Sequence, residues 1–343
     1  MLFARRSAAT FFNMRPLVKA MALTALGLSA GLTQVAQAQT LEKFAYITDW
    51  FAQAEHGGFY QAIADGTYKK YGLDVSVRQG GPQVNAAQMM AAGQADCITG
   101  SSDIQVIQMR ESGLPIVSVA AMFQKNPQVI IAHEDVKTLA DLKGKTLFIS
   151  SAAQRDYWPW LKAKYGLNDA QTRPYTYNIQ PFVADKNSAM QGYLSSEPFS
   201  IQKAGVKATT MLMGDFGYPA YSSLITCMEK TLKDRNKAVE SFVKGTAEGF
   251  KNYLKDPTLG NVEIKKANPN MTDEQLAYSV AKLKETGIIT GGDAATMGIG
   301  TMTPVRAKAS YDFLVSAKLI DPAKVQLEKT WTPDFMKDVK VLP

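Results

Sequence analysis

Several aromatic, acidic and hydroxyl side chains sit where a packed core does not require them. Trp50, Tyr60, Trp158, Tyr193, Tyr218 and Tyr221 fall at strand ends or turns. There a flat ring with a polar tip can sandwich a flat ligand and hydrogen-bond its edge. About half of them are expected to touch a ligand, the rest to fill the cores. Glu55 and His56 suit heterocycle nitrogens, and an imidazole changes its donor pattern with pH. Glu197 suits an amino or amidine-like donor, or else caps a helix. Ser101, Ser102 and the amides after them can hold a carbonyl or an anionic group. Arg155 is the only arginine near these positions, which disfavours a pocket dedicated to a bare oxyanion.

Motifs for other chemistry fail on spacing. Gly144-Lys145-Thr146 has the ending of a phosphate loop, but the position that needs the earlier glycine is Leu139, and the segment reads as turn then strand. Gly298-Ile299-Gly300 follows no strand and lacks a third glycine in place. No G-x-S-x-G, H-E-x-x-H or C-x-x-C occurs, and two Cys with two His make no convincing metal site. His133, beside Glu134 and Asp135, reads as a solvated residue in a surface turn. Met89 and Met90 read as core packing. Cys97 and Cys227 each lie in an apolar segment. A disulfide is open to them in an oxidising compartment, but two small buried hydrophobes are the expected form.

Composition sets the frame. The 343 residues are 46% hydrophobic and 20% charged, which excludes collagen-like, coiled-coil and disordered chains and leaves room for about two domains. Net charge is +7, but Arg5, Arg6, Arg15 and Lys19 supply four of those charges within residues 1–38, where there is no acid. The remainder is only mildly basic, and a nucleic-acid footprint loses its support. Arg15 and Lys19 precede the apolar run Ala20–Leu32, too short to span a bilayer, and Ala36-Gln37-Ala38 supplies small residues for cleavage before Gln39. Residues 1–38 therefore read as a signal peptide, with Met14 an alternative start. Ser7-Ala8-Ala9 gives Arg5-Arg6 little support as a twin-arginine signal, and no Cys stands near the cleavage site to take a lipid. The mature protein is expected to be exported and soluble.

Strand and helix then alternate. Strands are expected at 44–48, 73–77, 97–99 and 116–121, with helices at about 58–71, after Asn85, and after Ser101 or Ser102. The pattern restarts with strands at 129–132 and 146–150, a short capped helix from Thr138, a helix at 158–165, strands near 175–178 and 207–212, and a helix at 188–194 between them. A strand at 221–228 leads out. Such alternation makes an α/β protein with mostly parallel sheets. From Asn236 the pattern turns helical: Val239, Phe242, Val243, Ala247, Phe250 and Leu254 recur at helical steps. Thr272 and Gln275 form a capping box, and Pro304 suits the first turn of another helix.

The stretch Thr48-Asp49-Trp50-Phe51-Ala52-Gln53-Ala54-Glu55-His56-Gly57-Gly58-Phe59-Tyr60 resembles the signature of the thiamin-pyrimidine-precursor group of ABC-transporter substrate-binding proteins. Relatives of that group bind taurine, sulfonates, nitrate and riboflavin, and include the fungal pyrimidine synthases. Tyr71-Gly72-Leu73-Asp74-Val75, Gly80-Gly81-Pro82, Leu142-Lys143-Gly144-Lys145 and Gly192-Tyr193-Leu194-Ser195-Ser196-Glu197-Pro198 follow in family order. The family pattern usually has Asn where this chain has Glu55, and Pro-Asn where it has Ala52-Gln53.

The resemblance implies a type II periplasmic-binding-protein fold of two α/β lobes with a hinge and a helical C-terminal extension. Lobe 1 would be discontinuous, 39–125 plus 222–343, lobe 2 would be 128–220, and the segments near 122–128 and 218–223 would form the hinge. Ligands of open sheets sit beyond the carboxyl ends of strands. That edge would present Trp50, Glu55, His56, Tyr60, Gln83, Ser101, Ser102, Ser151, Trp158, Tyr193, Glu197, Tyr218 and Tyr221. The implied function is capture of a small planar nitrogenous or aromatic ligand, pyrimidine-type favoured, by a periplasmic monomer without cofactor. A membrane permease with a separate ATPase would receive the ligand. A sulfonate, nitrate or aromatic acid is the alternative cargo. The enzyme alternative resembles the pyrimidine synthase, in which the family His, matched by His56, is consumed. The iron-binding Cys-rich segment of that enzyme would fall at Gly217–Ser222, which contains no Cys.

Overall fold

The computed structural model describes residues 40–343 apart from the Arg155 side chain; the expected signal peptide lies outside them. The chain builds β1 (Glu42–Ile47), β2 (Leu73–Arg78), β3 (Cys97–Ser102) and β4 (Ile116–Phe123) in one sheet. It crosses to a second sheet for β5 (Gln128–His133), β6 (Thr146–Ile149), β7 (Thr172–Pro174), β8 (Ser188–Tyr193) and β9 (Ala208–Leu212), then returns to the first as β10 (Ser222–Met228). The strand orders are β2-β1-β3-β10-β4 and β7-β6-β8-β5-β9.

The two sheets are mixed, which corrects the mostly parallel expectation. In the first, β1 runs parallel to β2 and β3, while β10 is antiparallel to β3 and β4. In the second, β6 is parallel to β7 and β8, while β5 is antiparallel to β8 and β9. The reversed strand of each sheet is the one that has just crossed from the other. A strand reached through a helix runs toward the edge between the sheets; one that crosses directly starts at that edge and runs away from it.

Three local expectations are also corrected. Residues 188–193 are strand β8 rather than helix, because the segment runs buried between β5 and β6 and the ladder on both sides outweighs its weak β propensity. The strand expected near 175–178 lies earlier, at Thr172–Pro174. The helix expected over 58–71 breaks at Gly66 (φ 80°) into Gly57–Ala64 and Thr67–Lys70. Elsewhere the N-cap signals hold: Asn85, Ser102 and Thr272 accept from the backbone amides of Gln88, Gln105 and Gln275, but Gln275 does not close the expected capping box, its side-chain amide donating to the Ser195 and Ser196 carbonyls instead.

Helix Asn236–Lys255 packs its apolar stripe on the first sheet. Phe242 stacks at 4.5 Å on Phe44 and at 5.3 Å on Tyr68, and Val239, Val243, Ala247 and Phe250 are fully buried beside it. Gly249 lets this helix touch helix Gly57–Ala64: a Cβ there would lie 2.3 Å from the Gly58 carbonyl oxygen and 2.7 Å from the Ala62 Cβ. That contact seats the turn Ala54–His56 immediately before the second helix. The other large core joins Leu147, Trp158, Leu161 and Tyr218 to Ile104 and Ile107 of helix Asp103–Glu111, and to Leu314 of helix Pro304–Ser316.

Cys97 and Cys227 are bonded, against the expectation of two free hydrophobes. The reversed strand β10 sets them directly opposite each other, with Cα atoms 4.3 Å apart. The disulfide closes a sequence separation of 130 residues that contains the whole second sheet. Replacing both cysteines by alanine, or reducing the bond, should cost about 2–5 kcal/mol. Denaturant melts of the oxidised, reduced and double-variant protein check this; equal midpoints would show the bond carries no stability.

Candidate functional site

Because β5 and β10 are reversed, their first residues meet the last residues of the other strands. Between the sheets lies a cavity of about 60 Å³. Asp49 and Trp50 reach it after β1, Ser101 from β3, Phe123 from β4, Ser150 after β6, and Gln191 and Tyr193 from β8. Gln128 and Ser223 reach it from the starts of β5 and β10. Gln53, Glu55, His56, Asp156, Ser196 and Glu197 complete most of the wall.

Four carboxylates face this space, each held by a hydroxyl. Ser101 Oγ donates to Asp49 (2.7 Å) and Ser195 Oγ to Glu55. Ser102 Oγ and Tyr218 OH donate to Asp156 at 2.5 and 2.6 Å, and Tyr175 OH donates to Glu197 at 2.8 Å. Glu197 also accepts from the Tyr193 amide at 2.8 Å. Gly192 permits this close approach, since a Cβ there would lie 3.0 Å from the Glu197 Cβ and 2.8 Å from Ile131 Cδ1. Burial pushes Glu197 up to about 7 and raises Asp156 as well; the hydrogen bonds to their oxygens pull the other way.

Buried polar atoms without a protein partner concentrate here: Gln53 Nε2, Glu55 Oε2, His56 Nδ1, Gln128 Oε1 and Ser223 Oγ all belong to residues of the wall. An unpaired buried donor or acceptor costs about 1–3 kcal/mol, so such atoms are ready to pair with a guest. Ser223 has φ 51°, and Tyr177, whose ring meets Trp50 edge-on at 6.1 Å, has φ 65°. Each costs roughly 1–3 kcal/mol, a kind of strain that clusters at ligand clamps. Contacts that cross between the lobes at this point include Ser195 to Glu55, Ser102 to Asp156, and Tyr177 to Trp50.

Of the residues expected at the edge, the fold brings Trp50, Glu55, His56, Ser101, Tyr193 and Glu197 to the cavity. Placement of the others is corrected. Trp158 is fully buried in the second core, its Nε1 donating to Asp169 at 2.7 Å. Tyr60 lies in the first core, on the inward face of its helix. Tyr221 is buried under Arg306, whose guanidinium stands 3.8 Å from its ring centroid. Gln83 and Ser151 are exposed and outside the wall. Ser102 and Tyr218 stand one layer back, acting through Asp156. The Arg155 side chain is outside the described residues. His133, expected in a solvated turn, ends β5 and is buried: it stacks on Phe182 at 4.3 Å and its Nε2 bonds the Phe182 carbonyl at 3.0 Å.

Asp49 and Gln53, both inside the motif 48–60, join the wall beside Trp50, Glu55 and His56. Local patterns do not single out Gln128, Gln191 or Ser223, because they give neither the reversed directions of β5 and β10 nor the identity of β8. Asp156 lies in the stretch 151–158 at the expected edge, and the fold turns its carboxyl into the wall, where Ser102 and Tyr218 hold it.

Comparison with known proteins follows the same lines. Residues 53–259 match the family model described as NMT1/THI5 like. The chain is 24% identical over 228 residues to the riboflavin-binding protein RibY of Chloroflexus aurantiacus, covering 64% of each chain. It is 24% identical over 229 residues to the formylaminopyrimidine-binding protein of Halalkalibacterium halodurans, covering 64% of this chain and 68% of that one. Among solved structures, the periplasmic aliphatic sulphonate binding protein SsuA of Escherichia coli superposes with a TM-score of 0.62 at 16% identity, over 85% of this chain and 92% of that one. The fold is that of periplasmic binding proteins, α/β with two mixed five-stranded sheets.

The raised carboxyls give the stability a pH dependence of definite sign. Burial lifts Glu197 to about 7, and likewise Asp103, which lies behind Ser102. A group raised above its unfolded value contributes stability that is present at acid pH and lost as pH rises through its folded pKa. Thermal midpoints of the unliganded protein should therefore fall between about pH 5 and about pH 8. Glu197→Gln and Asp103→Asn should each flatten the profile. A midpoint that climbs over this interval would overturn the assignment.

Proposed function

This chain belongs to the NMT1/THI5-like family, and from that premise we propose that it is the substrate-binding component of an ABC importer. It holds a small planar nitrogenous ligand between its two lobes and delivers it to a membrane permease driven by a separate ATPase. The reading includes export to the periplasm with the signal peptide removed after Ala38, and action as a monomer that closes by hinge motion without transforming its ligand.

The observation that carries the ligand class is the cluster of four carboxyl groups, Asp49, Glu55, Asp156 and Glu197, each oriented by a hydroxyl and lining the space with hydrogen-bond acceptors. Such a wall favours ring N–H, amino or amidine-like donors. A sulfonate or nitrate entering it would bring its negative charge against carboxyl groups that burial already pushes away from ionisation. Trp50 and Tyr193 supply flat faces, as a pyrimidine-type ring requires. Size favours one ring over three. A cavity of roughly 150 Å³ accepts benzene, so at about 60 Å³ the lobes must part somewhat even for a single substituted ring. The synthase-like alternative finds no support at the cysteines, since both are tied in the disulfide between β3 and β10.

Thermal-shift and calorimetric titration with an aminopyrimidine, riboflavin, methanesulfonate and nitrate tests the reading. The aminopyrimidine should stabilise the protein by about 2.7 kcal/mol at a hundredfold excess over Kd. The anions should leave the midpoint unchanged. Stabilisation by an anion with none from the pyrimidine would overturn it. Trp50→Ala should weaken binding about tenfold or more, near 1.4 kcal/mol, while the unliganded fold persists. Unchanged affinity would remove Trp50 from the ligand's face.

A further inference from the structure

We infer that Asp49 is a specificity-determining positioning residue: it fixes the tautomer of His56, so that the imidazole offers the ligand a hydrogen-bond acceptor. The inference rests on the proposed reading of the cavity as a site for an amino-bearing heterocycle.

The geometry is a relay of three side chains. Asp49 divides its carboxylate between two neighbours, Oδ1 lying 3.2 Å from His56 Nε2 and Oδ2 accepting from Ser101 Oγ at 2.7 Å. An ionised carboxylate has no hydrogen to give, so the hydrogen in the first contact belongs to Nε2. A neutral imidazole carries a single N–H, which leaves Nδ1 with a bare lone pair. Nδ1 is buried and unpartnered, in a ring that lines the cavity and is 5% exposed. The turn Ala54–His56 is seated against the Gly58–Gly249 crossing, and Ser101 comes from the end of β3, so neither partner of Asp49 rests on a loose loop.

The consequence is selective. Glu55 Oε2, the other unpartnered atom of this turn, is also an acceptor. Acceptors on consecutive residues of one turn in the cavity wall suit an exocyclic amino group or a protonated ring nitrogen, and an isosteric methyl group would leave their lone pairs unpaired. A buried acceptor left unpaired costs about 1–3 kcal/mol, or roughly 5- to 150-fold in affinity. Reversing the tautomer would place a donor beside the amino group instead. Asp49 therefore acts on the ligand through His56, in addition to its place in the wall.

Nitrogen-15 spectra give a direct test that needs no ligand. The sequence has two histidines, His56 and His133, so a tag-free labelled sample and a His133→Gln variant assign the signals. In the neutral form, His56 should carry its hydrogen on Nε2 in the native protein. In Asp49→Asn, whose amide can donate as well as accept, the signals should move toward the Nδ1–H form. Binding is then compared for 4-amino-2-methylpyrimidine and 2,4-dimethylpyrimidine, which differ by amino against methyl. The native protein should prefer the amine at least about fivefold, and Asp49→Asn should lose most of that preference. An Nδ1–H tautomer in the native protein, or an unchanged tautomer and preference in the variant, would overturn the inference, and the native spectrum decides even if the variant fails to fold. Binding of neither pyrimidine with the Nε2–H form intact would instead sink the functional reading while leaving the tautomer assignment standing.

Discussion

Everything at the centre of this molecule follows from one topological constraint: a strand that crosses directly between the sheets must start at the edge where the helix-connected strands end. β5 and β10 obey it, and each lies antiparallel inside a sheet whose other strands share a direction. One line between the lobes therefore collects residues from the carboxyl ends of five strands and the amino ends of two. A fully parallel sheet would have sent Gln128 and Ser223 to the far side. The disulfide reinforces the arrangement, because Cys97 and Cys227 face each other only when β10 runs backwards beside β3.

The electrostatics of the cavity are unusual in what balances the charge. Among the described residues, hydroxyls from Ser101, Ser195, Ser102, Tyr218 and Tyr175 hold these carboxyls, with His56 beside Asp49. Hydroxyls orient the oxygens without neutralising them, so the wall keeps an affinity for donors. Its cost shows as raised carboxyl pKa values, a shift driven by desolvation. Strained backbone at Tyr177 and Ser223 lies along the same line. A site that is itself uncomfortable and gains by pairing has a physical reason to close on a ligand.

Much of this was legible in the chain. The helical stripe of Val239, Phe242, Val243, Ala247 and Phe250 was read from its period and is buried as a unit. The caps at Asn85, Ser102 and Thr272 were readable because each acts within three residues of itself. Trp50, Glu55, His56 and Glu197 were found because they stand in motifs that mark where a strand ends. Trp158 and Tyr60 show the limit: an aromatic at the start of a helix can turn inward or outward, and only the packing partners decide.

By itself the sequence determined the alternation of strand and helix, the two α/β units and the helical ending, since periodicity, capping and composition are properties of neighbours along the chain. Tertiary structure alone decided the strand directions, the identity of β8, the Cys97–Cys227 bond and the assembly of four carboxylates with His56 into one wall. Those depend on contacts between residues up to 140 positions apart, as between Glu55 and Ser195. No local pattern encodes such contacts; they exist only once burial has selected which face of each element meets which.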